Sequence, residues 1–163
     1  MTDAHDVDDA LTLLDDPSVE AFGMLIETHN ELTNAVTGRL EAELSVPVPW
    51  LGVLIRLART PGNQLRMTHL AREMTMSTSG LTRLVDRVEA AGHVRREACP
   101  EDRRGLLAVL TPAGRRVIAD AAPTHVADLD RYLAAALTPD ELVQLTDLLR
   151  KVRDHVRSPG QAD

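Results

Sequence analysis

At Gly92 the apolar residues of this chain change period, and that change leaves few folds open to it. Upstream, Leu81, Leu84, Val85 and Val88 recur at helical spacing. They predict a helix capped by Ser77, running to about Ala91 and stopped by Gly92. Downstream, residues 94–98 and 105–110 read as strands. Between them Cys99-Pro100-Glu101-Asp102-Arg103-Arg104 reads as a solvent-exposed hairpin tip. Before Ser77, Thr68 is placed to cap a short helix through Met74, with Leu70, Ala71 and Met74 inward. Thr75-Met76-Ser77 is then a tight connection. Short helix, turn, second helix and hairpin make a winged helix-turn-helix.

The flanks predict helices. Phe22, Leu25, Ile26, Leu32, Val36, Leu40 and Leu44 are spaced for one that begins near Pro17 and dies at Val46-Pro47-Val48-Pro49. Leu51, Leu54, Ile55 and Ala58 mark the face of the next, which Thr60-Pro61-Gly62-Asn63 ends. Thr111-Pro112 opens a helix carrying Val117, Ile118, Ala121, Val126, Leu129 and Leu133, with a kink or break expected at Pro123. Thr138-Pro139-Asp140-Glu141 is a capping box for a last helix. Residues 1–16 are acidic and short of apolar side chains, so disorder is expected there, as it is in the tail 158–163. The fold class is mainly α with a small β-hairpin wing.

Charge adds a partner. The chain carries −7 overall, yet between residues 66 and 116 ten arginines face six acids. A basic middle in an acidic chain fits local contact with phosphates. On the helix after Ser77 the face opposite the apolar stripe collects Ser79, Arg83, Asp86 and Arg87, with Thr82 at its flank. The hydroxyls and N–H groups of Ser77, Thr78 and Ser79 suit phosphates. Ser79, Thr82 and Arg83 are placed for base edges, and arginine grips guanine through two hydrogen bonds. Arg87 suits a phosphate, and Thr68 on the preceding helix joins the DNA-binding set. Asp86 would repel phosphate, so a neighbouring arginine is expected to pair with it. Arg95 and Arg96 alternate across a strand, so only one can face DNA directly.

Other chemistries find little support. There is no Gly-rich phosphate loop, Cys-x-x-Cys pair or Ser-His-Asp arrangement that helices would assemble, so an enzyme is not expected. The single cysteine, Cys99, excludes a disulfide framework and favours a reducing compartment. It reads either as a redox sensor or as an incidental exposed thiol. His5, His29, His69, His93, His125 and His155 show no metal-ligand spacing, and no metal is assigned. No run of about 18 apolar residues occurs, and the N-terminus lacks a signal-peptide pattern. A soluble, cytoplasmic protein is expected, with no membrane partner. A winged-helix module that binds protein is the alternative to a DNA binder.

From Met67 to Gly114 the chain reads MTHLAREMTMSTSGLTRLVDRVEAAGHVRREACPEDRRGLLAVLTPAG. In its Leu-Ala helix, its Ser-Gly-Leu-Thr-Arg-Leu-Val-Asp helix, its Asp-Arg-Arg tip and its Leu-Thr-Pro-Ala-Gly exit, this segment resembles the MarR (multiple antibiotic resistance regulator) family. The resemblance implies a homodimeric transcription regulator of double-stranded DNA. By it, residues 17–46 and 112–157 form a helical dimerisation domain and residues 47–111 the winged DNA-binding domain. It implies that Arg104 enters the minor groove, oriented by Asp102, with Arg103 as a second candidate. It further implies a pseudo-palindromic operator, repression as the commoner mode, and a small-molecule effector between the two domains. His29, Asn30 and Trp50 are the candidates for that pocket, against the simpler reading of Trp50 as core and His29 as an interface residue. No cofactor is assigned beyond that candidate small-molecule effector.

Overall fold

In chain order the elements are α1 (Pro17–Glu43), α2 (Val48–Ala58), β1 (Gln64–Arg66), α3 (Met67–Glu73), α4 (Thr78–Ala90), β2 (Val94–Cys99), β3 (Asp102–Leu110), α5 (Pro112–Tyr132) and α6 (Pro139–Arg157). Prolines open α1, α5 and α6, where the missing N–H has no intrahelical partner to lose. The computed structural model describes residues 11–43, 46–100 and 102–157, without the side chains of Arg103 and Arg104. Expectations for residues 1–10 (with His5), Leu44, Glu101 and the tail 158–163 lie outside the described residues.

The chain forms two compact units, Thr37–Ala127 and Met1–Val36 with Asp128–Asp163. The division falls inside α1 and α5.

In the first unit α2, α3 and α4 pack with the sheet around Val53, Leu54, Leu57, Leu70, Leu81, Val85, Val88, Val94 and Ala108. No aromatic residue belongs to the buried core, so leucine and valine fill it. On α2 the buried stripe is Leu51, Val53, Leu54 and Leu57, while Ala58 is exposed and Ile55 half-buried. The stripe is thus rotated from the expected face, because Val53 and Leu57 share a side of the helix with Leu54. The sheet is antiparallel in the order β1-β3-β2. Val94 pairs with Leu110 and Arg96 with Ala108, and a register shift follows between Ala98 and Cys99. β1 was not foreseen; three residues are too few to show alternation. It forms because nine-residue β3 offers it an edge, pairing Gln64 with Val109 and Arg66 with Leu107.

Two turns position the helices of the motif. Thr75, at φ 53, links α3 to α4 in a left-handed conformation unusual for a β-branched residue. The N–H of Met76 closes that turn on the carbonyl of Ala71 at 2.9 Å. Gly92, at φ 78, ends α4 as expected. Thr111 then caps α5: its hydroxyl accepts from the N–H of Gly114 at 3.1 Å and donates to the carbonyl of Gly92 at 2.7 Å. Gly114 is pressed onto the α4–β2 turn. A methyl group there would overlap the carbonyl oxygen of His93 and stand 2.8 Å from Leu110 Cδ1. Gly114→Ala is therefore expected to lower stability by about 1–3 kcal/mol. Denaturant unfolding checks this, and an unchanged midpoint would mean that the turn moves aside at no cost.

α5 runs as one helix through the exposed Pro123, so of the kink or break expected there, a break does not occur. Thr124 on α5 donates to Glu43 on α1 at 2.6 Å. That bond, with Arg39 beside it, holds the Glu43 carboxyl below its ordinary pKa.

In the second unit the capping box of α6 is formed. Thr138 N–H donates to Glu141 at 2.8 Å and Glu141 N–H returns to the Thr138 hydroxyl at 3.3 Å. The backbone bond from Thr138 lowers the Glu141 pKa. Ahead of α1, Leu13–Asp15 is a 3-10 turn, and Asp16 accepts from the N–H and hydroxyl of Ser18. Disorder was expected up to residue 16, but this local capping orders its last residues. No residue of α6 is buried. Phe22, Leu25 and Ile26 on α1 and Val143, Leu148, Leu149, Val152 and Val156 on α6 stand exposed.

Candidate nucleic-acid interface

Ser77 has extended backbone, φ −65 and ψ 151, and its hydroxyl accepts from the N–H of Gly80 at 3.1 Å, capping α4 as expected. The first turn then points the N–H groups of Thr78 and Ser79 out of the helix end. Ser77 and Ser79 share a hydroxyl contact of 3.3 Å. Thr82 donates its hydroxyl proton to the carbonyl of Thr78 at 2.8 Å, which leaves its oxygen as an acceptor. Leu81, Leu84, Val85 and Val88 face the core, so Ser79, Thr82, Arg83, Asp86 and Arg87 all lie on the exposed side. Arg87 Nε reaches the carbonyl of Arg83 at 3.4 Å, one turn back.

Thr68 does not cap α3. The cap position is Arg66, and Thr68 lies inside the first turn, exposed. β1 runs directly into the helix, so the helix starts two residues earlier than the hydroxyl pattern implies. Thr68 nevertheless joins the site. With Thr78, Thr82, Asp102 and two arginines, Arg66 and Arg96, it lines a cleft of about 300 Å³ against the hairpin. Arg66 was not foreseen. It stands 3.4 Å from Asp102, the residue expected to orient the wing arginine. The β1 pairing that carries Arg66 to the hairpin has no signal in the sequence. Arg103 and Arg104 lie in β3, and their side chains are outside the described residues.

The structure separates the two strand arginines. Arg96 shares the Val94 face of β2 and meets α4, pairing with Asp86 and lying 3.5 Å from Glu89. The expected arginine partner of Asp86 is therefore a strand residue. Arg95 points to the opposite face, exposed and paired with Glu97 at 2.7 Å. The structure does not bring Arg95 to the cleft. Cys99 is on that opposite face too, 5% exposed, clustered with Leu107 and Val109. It is thus not the exposed thiol of the sequence reading, because the pleat turns it onto two β3 side chains.

The effector candidates fall in different units, His29 and Asn30 in one and Trp50 in the other. His29 lines an apolar groove of about 430 Å³ with Leu25, Leu32, Leu133, Leu145 and Leu149 in the terminal unit. Asn30, next to it on α1, is exposed. Trp50 packs on the core of the other unit, its ring edge-on to His93 with centroids 6.1 Å apart. Among the described residues no group of three His, Cys, Asp or Glu side chains can hold a metal ion. Among them, too, no helix is long and apolar enough to cross a membrane.

Residues 44–105 match the MarR family profile. The chain is 35% identical over 133 residues to the multiple antibiotic resistance protein MarR of Escherichia coli K12, covering 80% of this chain and 90% of that protein. The protein of the same name from Salmonella typhimurium is 34% identical over 83 residues, 51% of this chain, and the match spans 58% of that protein's length. The crystal structure of a MarR family transcriptional regulator from Streptomyces coelicolor, in complex with DNA, aligns with a TM-score of 0.74 at 34% identity, over 88% of this chain and 89% of that one. These relatives are transcriptional regulators, not enzymes. With a winged helix-turn-helix in place and a relative matched over nine-tenths of its length, this chain belongs to the MarR family.

Proposed function

We propose that this protein is a cytoplasmic transcription regulator that binds a pseudo-palindromic DNA operator as a homodimer and represses from it. α4 enters the major groove and the β2–β3 hairpin the adjacent minor groove. The observation that carries this reading is the division of α4. One side is wholly core, and the other presents Ser79, Thr82, Arg83 and Arg87 beside a cleft holding two more arginines. That the Streptomyces coelicolor relative is held on DNA supports it. A second copy as the dimer partner is supported by the apolar side chains that α1 and α6 leave exposed in one chain. Repression follows the resemblance.

Selection of bound duplexes from a random DNA pool, with affinity then measured at two salt concentrations, tests the proposal. Enrichment of one inverted repeat with half-site centres about one helical turn apart is expected, with affinity falling steeply as salt rises. No enrichment would leave the protein-binding winged module as the reading. Arg83→Ala is expected to weaken the selected operator by about 10–100-fold. Arg83 is exposed, so the unfolding midpoint should not move. An unchanged operator affinity would remove Arg83 from base contact.

A further inference from the structure

A protein that reads a major groove with a helix and a minor groove with a hairpin must hold the two at one spacing. Here the two elements meet at Arg96. β2 lies at an edge of the sheet, so its outward N–H groups lack a strand partner. The N–H of Arg96 is taken up by Glu89 Oε1 of α4 at 2.7 Å. The second oxygen of Glu89 stands 3.5 Å from Arg96 Nε, and the far end of the guanidinium bonds to Asp86 Oδ1. Asp86 and Glu89 are three residues apart and therefore on one side of α4. Backbone and side chain of a single strand residue are thus tied to two points on one helix. The Arg96 side chain is 21% exposed, which shields these pairs more than an open surface would.

We propose that Arg96, Asp86 and Glu89 form a positioning lock that sets the spacing and angle of the wing relative to α4, and so the operator specificity. The proposal rests on the DNA-binding reading. Arg96 lines the cleft, yet it is not a phosphate contact. Two carboxylates meet its one positive charge, so the cluster carries net negative charge and offers a phosphate no attraction. The lock instead adds a directional polar tie to a hairpin otherwise held on α4 by the Gly92 turn and by the packing of Val94, Ala108 and Leu110.

The test uses the full chain and the operator selected by it, with a random duplex as control. Asp86→Asn discriminates, because the two readings give opposite signs. Removing an acid from a DNA-facing helix should, by charge alone, tighten binding to every duplex. With the lock, operator binding weakens by roughly tenfold, the loss of one well-placed groove contact, while random-duplex binding is unchanged or tighter. Tighter binding to both duplexes overturns the proposal.

Arg96→Gln is the second variant. It is expected to lower the ratio of operator to random affinity and to leave the slope of log K against log salt unaltered. A slope shallower by about 0.9 would show a lost phosphate contact and overturn the proposal. Hydroxyl-radical footprints should keep protection along the α4 groove and show the wing's protection displaced along the duplex, not lost, a pattern that mere loss of folded protein does not produce. Exchanging the charges, Asp86→Arg with Arg96→Asp, should recover part of the operator affinity. If the unaltered protein selects no DNA, the DNA-binding reading itself fails, which separates that outcome from failure of the lock.

Discussion

Replacing Val152 and Val156 together by aspartate is expected to turn the proposed homodimer into a monomer and to lower operator affinity by about 10²–10⁴-fold. Both valines lie on α6, 55% and 68% exposed, and α6 has no buried residue. One chain therefore loses no packing when they change, and far-UV circular dichroism should be unaltered. A second copy would bury them, and a buried unpaired carboxylate is far costlier than a lost methyl contact. The affinity loss follows from geometry. Two linked reading heads bind two half-sites, and a monomer forfeits the effective concentration that the first contact gives the second. Sedimentation equilibrium and operator titration check both halves. A dimer that persists with both aspartates would place the interface elsewhere.

Leu81→Ala should have the opposite signature, a large loss of stability with the DNA-reading surface intact. Leu81 is fully buried on α4, immediately before Thr82 and Arg83. Removing its branched end leaves a cavity at the junction of α2, α3, α4 and the sheet, at a cost of about 2–5 kcal/mol. In a chain of this length each kcal/mol moves Tm by about 2–4 °C. Operator affinity measured well below that Tm should remain, whereas Arg83→Ala should lose affinity and keep its Tm. A loss under about 1 kcal/mol would mean that the neighbouring leucines collapse into the space.

Much of this was legible because it is local. The caps at Ser77, Thr111 and Thr138 and the stop at Gly92 involve residues a few positions apart, and each lies where the sequence pattern placed it. The inward stripe of α4 follows from the 3.6 period alone, and with it the outward display of Ser79, Thr82, Arg83 and Arg87. The need of Asp86 for an arginine followed from charge.

Which arginine answered it was not legible. Arg95 and Arg96 are equivalent until the sheet chooses a face to lay against α4. That choice follows from burying Val94, Ala108 and Leu110 together. The same choice hid Cys99. Thr68 lost its capping role to the unforeseen β1, which also carried Arg66 across 36 positions to Asp102. From sequence alone came the helices and the hairpin, most of their ends and the side that α4 turns outward, since backbone hydrogen bonding and hydrophobic periodicity act over a turn or two. Tertiary structure alone decided which distant charges meet and which face of the wing is buried, because those depend on the one packing that fills the core without voids.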